Sequence, residues 1–237
     1  MSEARRRSTF YWAMRLLPAD RRAALFALYD IARAIDDVAD GAGSFAERRE
    51  GLAHWRGQVA AIYEGTPTEP IAFAFQPHAK RFGLPRAELD ALIDGQLMDL
   101  EPMVFDEAAF VLYCRRVAGT IGMLALPIFG ASGPAAERYA IALGEGLQRV
   151  NVLRDIAEDA ARGRSYLPEP VDAFSACAAA KLAQAKAMLS DLDRRALRPA
   201  IVMGELYEAL LQAVLRGEKL GAWAKFAAVL RGLWRSR

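Results

Sequence analysis

The chain has 237 residues, enough for one large domain with a substantial buried core. Hydrophobic residues make up 54% and charged residues 25%, a balance that excludes a disordered chain. Thirty-one basic residues stand against 29 acidic ones, so nothing in the net charge of +2 points to nucleic acid.

Two cysteines, Cys114 and Cys177, lie far apart and outside any CxxC spacing, which argues against a disulfide framework or a zinc site. The basic start, Arg5 to Arg7, is followed by a stretch interrupted at Arg15 and stopped at Pro18, so it does not read as a signal peptide. The longest apolar run, Met123 to Ala131, is broken by Pro127 and Gly130, well short of the roughly 18 residues of a membrane span. The expected location is the cytoplasm, either free or on a membrane surface.

In chain order, hydrophobic spacing predicts helices over 20–39, 45–63, 86–100, 106–129, 135–161, 176–195, 199–217 and 220–234. Asp20, after Pro18, is the expected N-cap of the first. Residues 66–82 are the least regular stretch and read as a surface loop or a short broken helix. Gly41-Ala-Gly43, Gly65-Thr-Pro67, Gly83-Leu-Pro85, Ser132-Gly-Pro134, Leu167-Pro-Glu-Pro170 and Arg198-Pro199 punctuate the series. No segment alternates with period two and no repeat or linker divides the chain. The prediction is an all-α fold, a single helical bundle spanning 1–237.

The first chemical signal is Asp36-Asp37-Val-Ala-Asp40. Four helical residues advance about 400°, so Asp36 and Asp40 lie within roughly 40° of each other, one turn apart, with Asp37 about 100° round. Acids interrupting an apolar stretch (Ile35, Val38, Ala39) are costly unless paired or bound to metal. Oxygen ligands without His or Cys suit magnesium. A solvated helix end explains this cluster equally well, although a C-terminal turn is an electrostatically poor place for three acids.

A second cluster tips the balance. Gln148, Asn151, Asp155 and Asp159 follow one another at steps of three or four, forming a polar stripe beside Val150, Val152, Leu153 and Ile156. Two such helices facing across a bundle would make a cage of acids at the mouth of an apolar cavity. Arg33, Arg154, Arg162 and Arg164 stand nearby, and guanidinium groups suit phosphate. Arg33 is equally well placed as an ion-pair partner of Asp36 and Asp37.

These residues carry a resemblance. Ser8-Thr-Phe-Tyr-Trp-Ala-Met-Arg-Leu-Leu-Pro18, Tyr29-Asp-Ile-Ala-Arg33-Ala-Ile-Asp36-Asp37-Val-Ala-Asp40, Tyr113-Cys-Arg-Arg-Val117-Ala-Gly119-Thr-Ile-Gly122 and Gln148-Arg-Val-Asn151-Val-Leu-Arg154-Asp155-Ile-Ala-Glu158-Asp159 resemble the squalene/phytoene synthases. Gly163-Arg-Ser-Tyr166-Leu-Pro168 and Leu92-Ile-Asp-Gly-Gln-Leu-Met-Asp99 look like further blocks of that family, and the likeness weakens after Pro170. Within the family, the blocks are most similar to the bacterial presqualene-diphosphate branch of hopanoid synthesis.

The resemblance implies the class I terpene-synthase bundle with a central apolar cavity. It implies a head-to-head condensation of two farnesyl diphosphates with magnesium, manganese being an alternative metal, and NADPH only if the product is carried on to squalene. Asp36, Asp40, Asp155 and Asp159, assisted by Asn151, would be the metal ligands. Arg33, Arg154, Arg164, Gln148 and Asp37 would bind the diphosphate or support its binding. Tyr29, Tyr113 and Tyr166 would stand near the reacting carbons, while Phe10 and Gly119 would border the prenyl cavity. Buried core tyrosines and ordinary helix packing are the plainer roles for Tyr29, Tyr113, Phe10 and Gly119. Partners would be the prenyl diphosphate, a membrane surface and downstream isoprenoid enzymes.

His54 and His78 sit outside all these motifs and read as surface or packing residues. The tail offers Trp223, Phe226, Leu230 and Trp234 among Lys219, Lys225, Arg231, Arg235 and Arg237, which suits an interfacial helix or a closing helix with a frayed basic end. Three other functions stay open. Asp36-Asp37-x-x-Asp40 also spells the motif of head-to-tail prenyl synthases, though the second cluster does not repeat it. A phytoene synthase would act on geranylgeranyl diphosphate. An inactive assembly or binding protein would have lost motif aspartates, and none is lost here.

Overall fold

The structure, a computed structural model, describes residues 14, 17–100 and 105–237; Phe10 lies outside the described residues. Every regular element among them is helical: α1 (Ala19–Ala39), α2 (Phe45–Glu64), α3 (Pro70–Phe82), α4 (Arg86–Met98), α5 (Glu107–Cys114), α6 (Thr120–Phe129), α7 (Pro134–Ala161), α8 (Val171–Ala187), α9 (Arg198–Leu215) and α10 (Ala222–Arg235). A π turn, Arg115–Gly119, links α5 to α6, and a 3₁₀ turn, Met188–Asp191, follows α8.

α1 buries Ala24, Leu25, Leu28, Ile31, Ile35 and Ala39, the i, i+3, i+4 stripe expected of a core helix. Asp20 lies in its first turn, where its charge favours the helix dipole; Pro18 occupies the N-cap and no side chain caps the helix. α2 opens with a capping box in which Ser44 and Glu47 satisfy each other's backbone N–H groups.

The stretch expected to be a loop or broken helix is instead the regular α3. Its start is organised by a tertiary contact: the buried Gln58 accepts from the backbone N–H groups of Thr68 (3.0 Å) and Glu69 (3.1 Å) and donates to Thr68 Oγ1 (2.7 Å). Pro70 then sits in the first turn, where a missing N–H costs little, and Ala72, Phe75 and Ala79 go inward. His54 meets Glu69 at 2.9 Å on the surface, and His78 is partly exposed on α3, as expected of residues outside the chemistry.

Glu107–Phe129 forms one continuous helical rod, long and apolar enough to cross a membrane by length and composition. In this fold it is a core element, with Cys114, Gly119, Thr120, Leu124, Ile128 and Phe129 buried and Arg115 held by Glu88. The π turn inserts one extra residue, which re-aims the side chains downstream of it. Gly95 of α4 lets this happen, because a Cβ there would come within 2.7 Å of Val117 Cγ1.

α7, the longest helix at 28 residues or about 42 Å, is the spine. Its fully buried Arg149 bonds Glu145 and Glu107, and the guanidinium lies over the rings of Phe110 (4.9 Å) and Phe174 (5.1 Å). That contact explains why α8 begins at Val171, five residues before the predicted start: Phe174 is needed under Arg149.

α10 closes the bundle against α9. Gly232 packs so tightly that a Cβ would approach Val202 Cα to 2.7 Å. Glu205 accepts a hydrogen bond from Arg231 (3.1 Å) and forms ion pairs with Lys186 (3.0 Å) and Arg235 (2.6 Å). The end of α10 is pinned rather than frayed, since Arg198 donates to the buried Ser236 hydroxyl at 3.1 Å.

Candidate active site

A small apolar cavity of about 90 Å³ lies between α1, α6, α7 and α9. Leu25, Ile121, Leu126, Phe129, Leu147 and Met203 are among its lining, the apolar character expected of a small-molecule pocket. Small residues create the space and the close packing around it. A Cβ on Gly122 would meet Ala140 O at 3.0 Å, and one on Gly144 would meet Gly119 N at 3.0 Å. A Cβ on Gly119 would meet Arg115 Cδ of its own helical rod at 3.1 Å, and its neighbours Ala118 and Gly122 are the residues that line the cavity.

Both acid-bearing helices pass the cavity and end in carboxylates. α7 lines it from Tyr139 to Leu147, then carries Gln148, Asn151, Asp155 and Asp159 over its last turns. α1 lines it at Leu25 and presents Asp36, Asp37 and the C-cap Asp40 about 16 Å further on. The negative ends of two helix dipoles thus coincide with two pairs of acids, an arrangement that calls for cations.

In this structure arginines answer that call. Gly163, at φ +73°, turns the chain back after α7, and Arg164 and Arg162 reach across to Asp40 at 2.6 Å and 3.0 Å. Arg164 and Arg48 also donate to the last α1 carbonyl, Ala39 O, at 3.3 Å and 3.1 Å. Arg154 grips Asp155 through two bonds of 2.7 Å and 2.5 Å. Arg33 bonds Asp37 at 2.8 Å on the exposed side of α1, so of the two roles open to it the ion pair is the one seen.

The carboxylates that are left respond to one another. Burial first, then the negative charge of Asp40, raises Asp36 to about 6, with Gln96 donating to it at 3.4 Å. Burial and Asp155 raise Asp159. Asn151 is oriented on both sides, donating to Gln148 at 3.2 Å and accepting from the buried Tyr207 hydroxyl at 3.0 Å.

Among the described residues, no three His, Cys, Asp or Glu side chains converge closely enough to hold one ion. The acids expected as a closed cage are parted by Arg154, Arg162 and Arg164. The donor set nevertheless fits magnesium, which takes one or two carboxylates and completes its shell with water and phosphate oxygens.

A third helix end joins the same region. Asp99, the C-cap of α4, accepts the hydroxyls of Tyr166 (2.6 Å) and Tyr113 (3.1 Å), whose rings stack at 5.2 Å and 24°. Phe105 lies 5.3 Å and 5.4 Å from them, giving a small aromatic box. Burial raises Asp99 to about 6 and pushes both tyrosines well above the ordinary phenol range. Tyr113 and Tyr166 are brought together; Tyr29 stands one turn before Arg33 on α1, half-buried. Asp99 and Phe105 were missed by the sequence reading. The signal for Asp99 was present, because α1, α4 and α7 all finish in acids.

The family model described as squalene/phytoene synthase matches residues 4–173. A presqualene diphosphate synthase of Zymomonas mobilis is 46% identical over 169 residues, covering 70% of this chain and 58% of that relative. One from Rhodopseudomonas palustris is 36% identical over 258 residues, covering 94% and 92%. A phytoene synthase of Mycobacterium bovis is 44% identical over 162 residues, covering 67% and 52%. The match thus spans little more than half of two of these relatives. Among solved structures, a dehydrosqualene synthase in complex with a ligand superposes with a TM-score of 0.82 at 22% identity, over 95% of this chain and 90% of that one, which shows the shared fold.

Proposed function

The chain belongs to the squalene/phytoene synthase family, and from that premise we propose that it joins two farnesyl diphosphates head to head, giving presqualene diphosphate. The observation that carries this reading is that Arg162 and Arg164, just after α7, reach Asp40 at the end of α1. The ends of the two helices bearing i, i+4 aspartate pairs are thus tied together, while both helices also line an apolar cavity. A diphosphate needs cations, and a prenyl tail needs a dry slot; α1 and α7 contribute to both.

Asp36 and Asp40 on one side, and Asp155 and Asp159 with Asn151 on the other, would hold magnesium or manganese. When bound, the metal supplies Lewis-acid stabilisation of the departing diphosphate. Arg162, Arg164 and Arg154 are the ready phosphate donors, since a diphosphate offers more acceptor oxygens than the aspartates they now occupy. Tyr113 and Tyr166, locked as a stack by Asp99, offer π faces to a developing allylic cation. The apolar wall from Leu147 to Leu25 keeps water from that cation. NADPH enters only if the product is reduced onward to squalene. So greasy a substrate also puts the protein's work at the cytoplasmic face of a membrane.

A phytoene synthase reading draws on the 44% identical mycobacterial relative, and the same polar end would serve it. Incubation with farnesyl or geranylgeranyl diphosphate and magnesium, with and without NADPH, followed by mass spectrometry, decides. Presqualene diphosphate from the C15 substrate is expected. A C40 product formed only from the C20 substrate would overturn the first reading in favour of the second.

A further inference from the structure

α10 carries two faces of different character. Ala228 and Gly232 form the inner one, seated on α9. The outer one presents Trp223 (85% exposed), Phe226 (56%), Leu230 (49%) and Trp234 (70%). At 100° per residue these four fall within an arc of about 80°, and they run about 16 Å along the helix. Large hydrophobics exposed elsewhere, such as Phe73 and Leu112, do not form such a helical stripe.

This face cannot turn inward. The close approach at Gly232, the Arg231 bond and Arg235 ion pair to Glu205, and the Arg198–Ser236 bond fix the rotation of α10 about its own axis. The protein therefore holds four large apolar side chains, with an indole at each end of the stripe, permanently toward its surroundings.

We propose that this face docks on an anionic lipid bilayer, with α10 lying in the headgroup plane. The charge around it chooses the occupant. Residues 219–237 contain no acid, and with Arg231 and Arg235 turned to Glu205 the basic groups left without an acid partner among the described residues are Lys219, Lys225 and Arg237. A two-fold pairing of α10 with a second copy would set basic rim against basic rim. Acidic headgroups instead neutralise the rim, and indoles at both ends suit the polar–apolar boundary of a bilayer. Val202, under Gly232, is flanked on α9 by Ala200 and Met203, which line the cavity, so the docked face lies one helix away from it. Lipid docking rests on the prenyl-diphosphate reading for its purpose only, not for its geometry.

The test is flotation of the full chain with vesicles of phosphatidylcholine alone or with phosphatidylglycerol, comparing wild type with a W223S/F226S/W234S variant and a K219E/K225E/R237E variant. Wild type should float with the anionic vesicles, less with the neutral ones, and less again at high salt. The serine variant should lose at least about tenfold in partitioning while keeping its helical circular dichroism and its turnover of detergent-dispersed substrate. The charge-reversed variant should lose its preference for anionic lipid. Equal flotation of wild type and serine variant, or no flotation of wild type, would overturn the proposal. So would a lipid-free dimer in light scattering that the serine variant abolishes, since the occupant would then be a second copy. Flotation needs no catalysis, so a protein that floats but turns over no prenyl diphosphate contradicts the enzymatic reading and leaves lipid docking standing.

Discussion

Two arginine–carboxylate networks on α7 are built from the same groups and behave as opposites. Around Arg149 the guanidinium is fully buried, held by Glu145 and Glu107 and covered by Phe110 and Phe174. About one to four turns further along the chain, Arg154, Arg162 and Arg164 hold Asp155 and Asp40 from partly exposed positions. Burial is the difference. A desolvated pair cannot lose a partner without leaving a bare charge in the interior, so the first network is structural. A half-solvated pair exchanges its partner for a metal or a phosphate at little cost, so the second is available for chemistry.

Substitutions can break that comparison. The largest effect is expected at the acids: Asp36→Asn or Asp155→Asn should lower kcat by about 10³-fold or more, with melting temperature nearly unchanged. Steady-state rates and thermal scans check both halves, and near-normal turnover in either variant would remove the acids from the mechanism. Next comes Arg149→Met, expected to cost about 3–5 kcal/mol in urea unfolding, because Glu145 is left buried with one partner fewer. If it were stable instead, the contrast between the two networks would fail. Arg164→Gln should do the reverse, cutting activity by about 10²-fold while shifting stability by roughly 1 kcal/mol or less.

The smallest effect is a slope. Asp99 sits at about 6, above its ordinary 3.8, because burial disfavours its charge. Between those values the folded protein keeps a proton that the unfolded chain has lost. Its contribution to stability is therefore complete below about pH 4 and is lost as pH rises through 6. The unfolding free energy of wild type relative to Asp99→Asn, from urea titrations, should fall across that window by on the order of 1–3 kcal/mol. A flat difference would mean that the tyrosine bonds outweigh the burial.

The sequence disclosed the periodic parts well, for stated reasons. α1 and α2 carry long one-sided stripes and α7 a long helical run with clear stops, and the Asp36/Asp40 and Asp155/Asp159 spacings follow from helix geometry alone. What stayed hidden depends on contacts between distant residues. α3 starts where Gln58 reaches Thr68, and α8 starts where Arg149 needs Phe174. Asp99 is defined by two tyrosines, 14 and 67 residues away. Gly119 reads from sequence as either a cavity or a packing residue, and in the π turn it faces Arg115 while Ala118 and Gly122 line the cavity. The acids looked like a closed cage because the reach of Arg162 and Arg164 back to Asp40 depends on a left-handed glycine, Gly163.

The central claim is that each helix end supplies only part of a metal shell and the diphosphate completes it. Calorimetric titration of magnesium into the protein, with and without inorganic pyrophosphate, tests this most directly. Weak binding alone, tightened at least about tenfold by pyrophosphate, is predicted, with the tightening lost in both Asp36→Asn and Asp155→Asn. Tight binding without pyrophosphate, or coupling that survives either substitution, would contradict it.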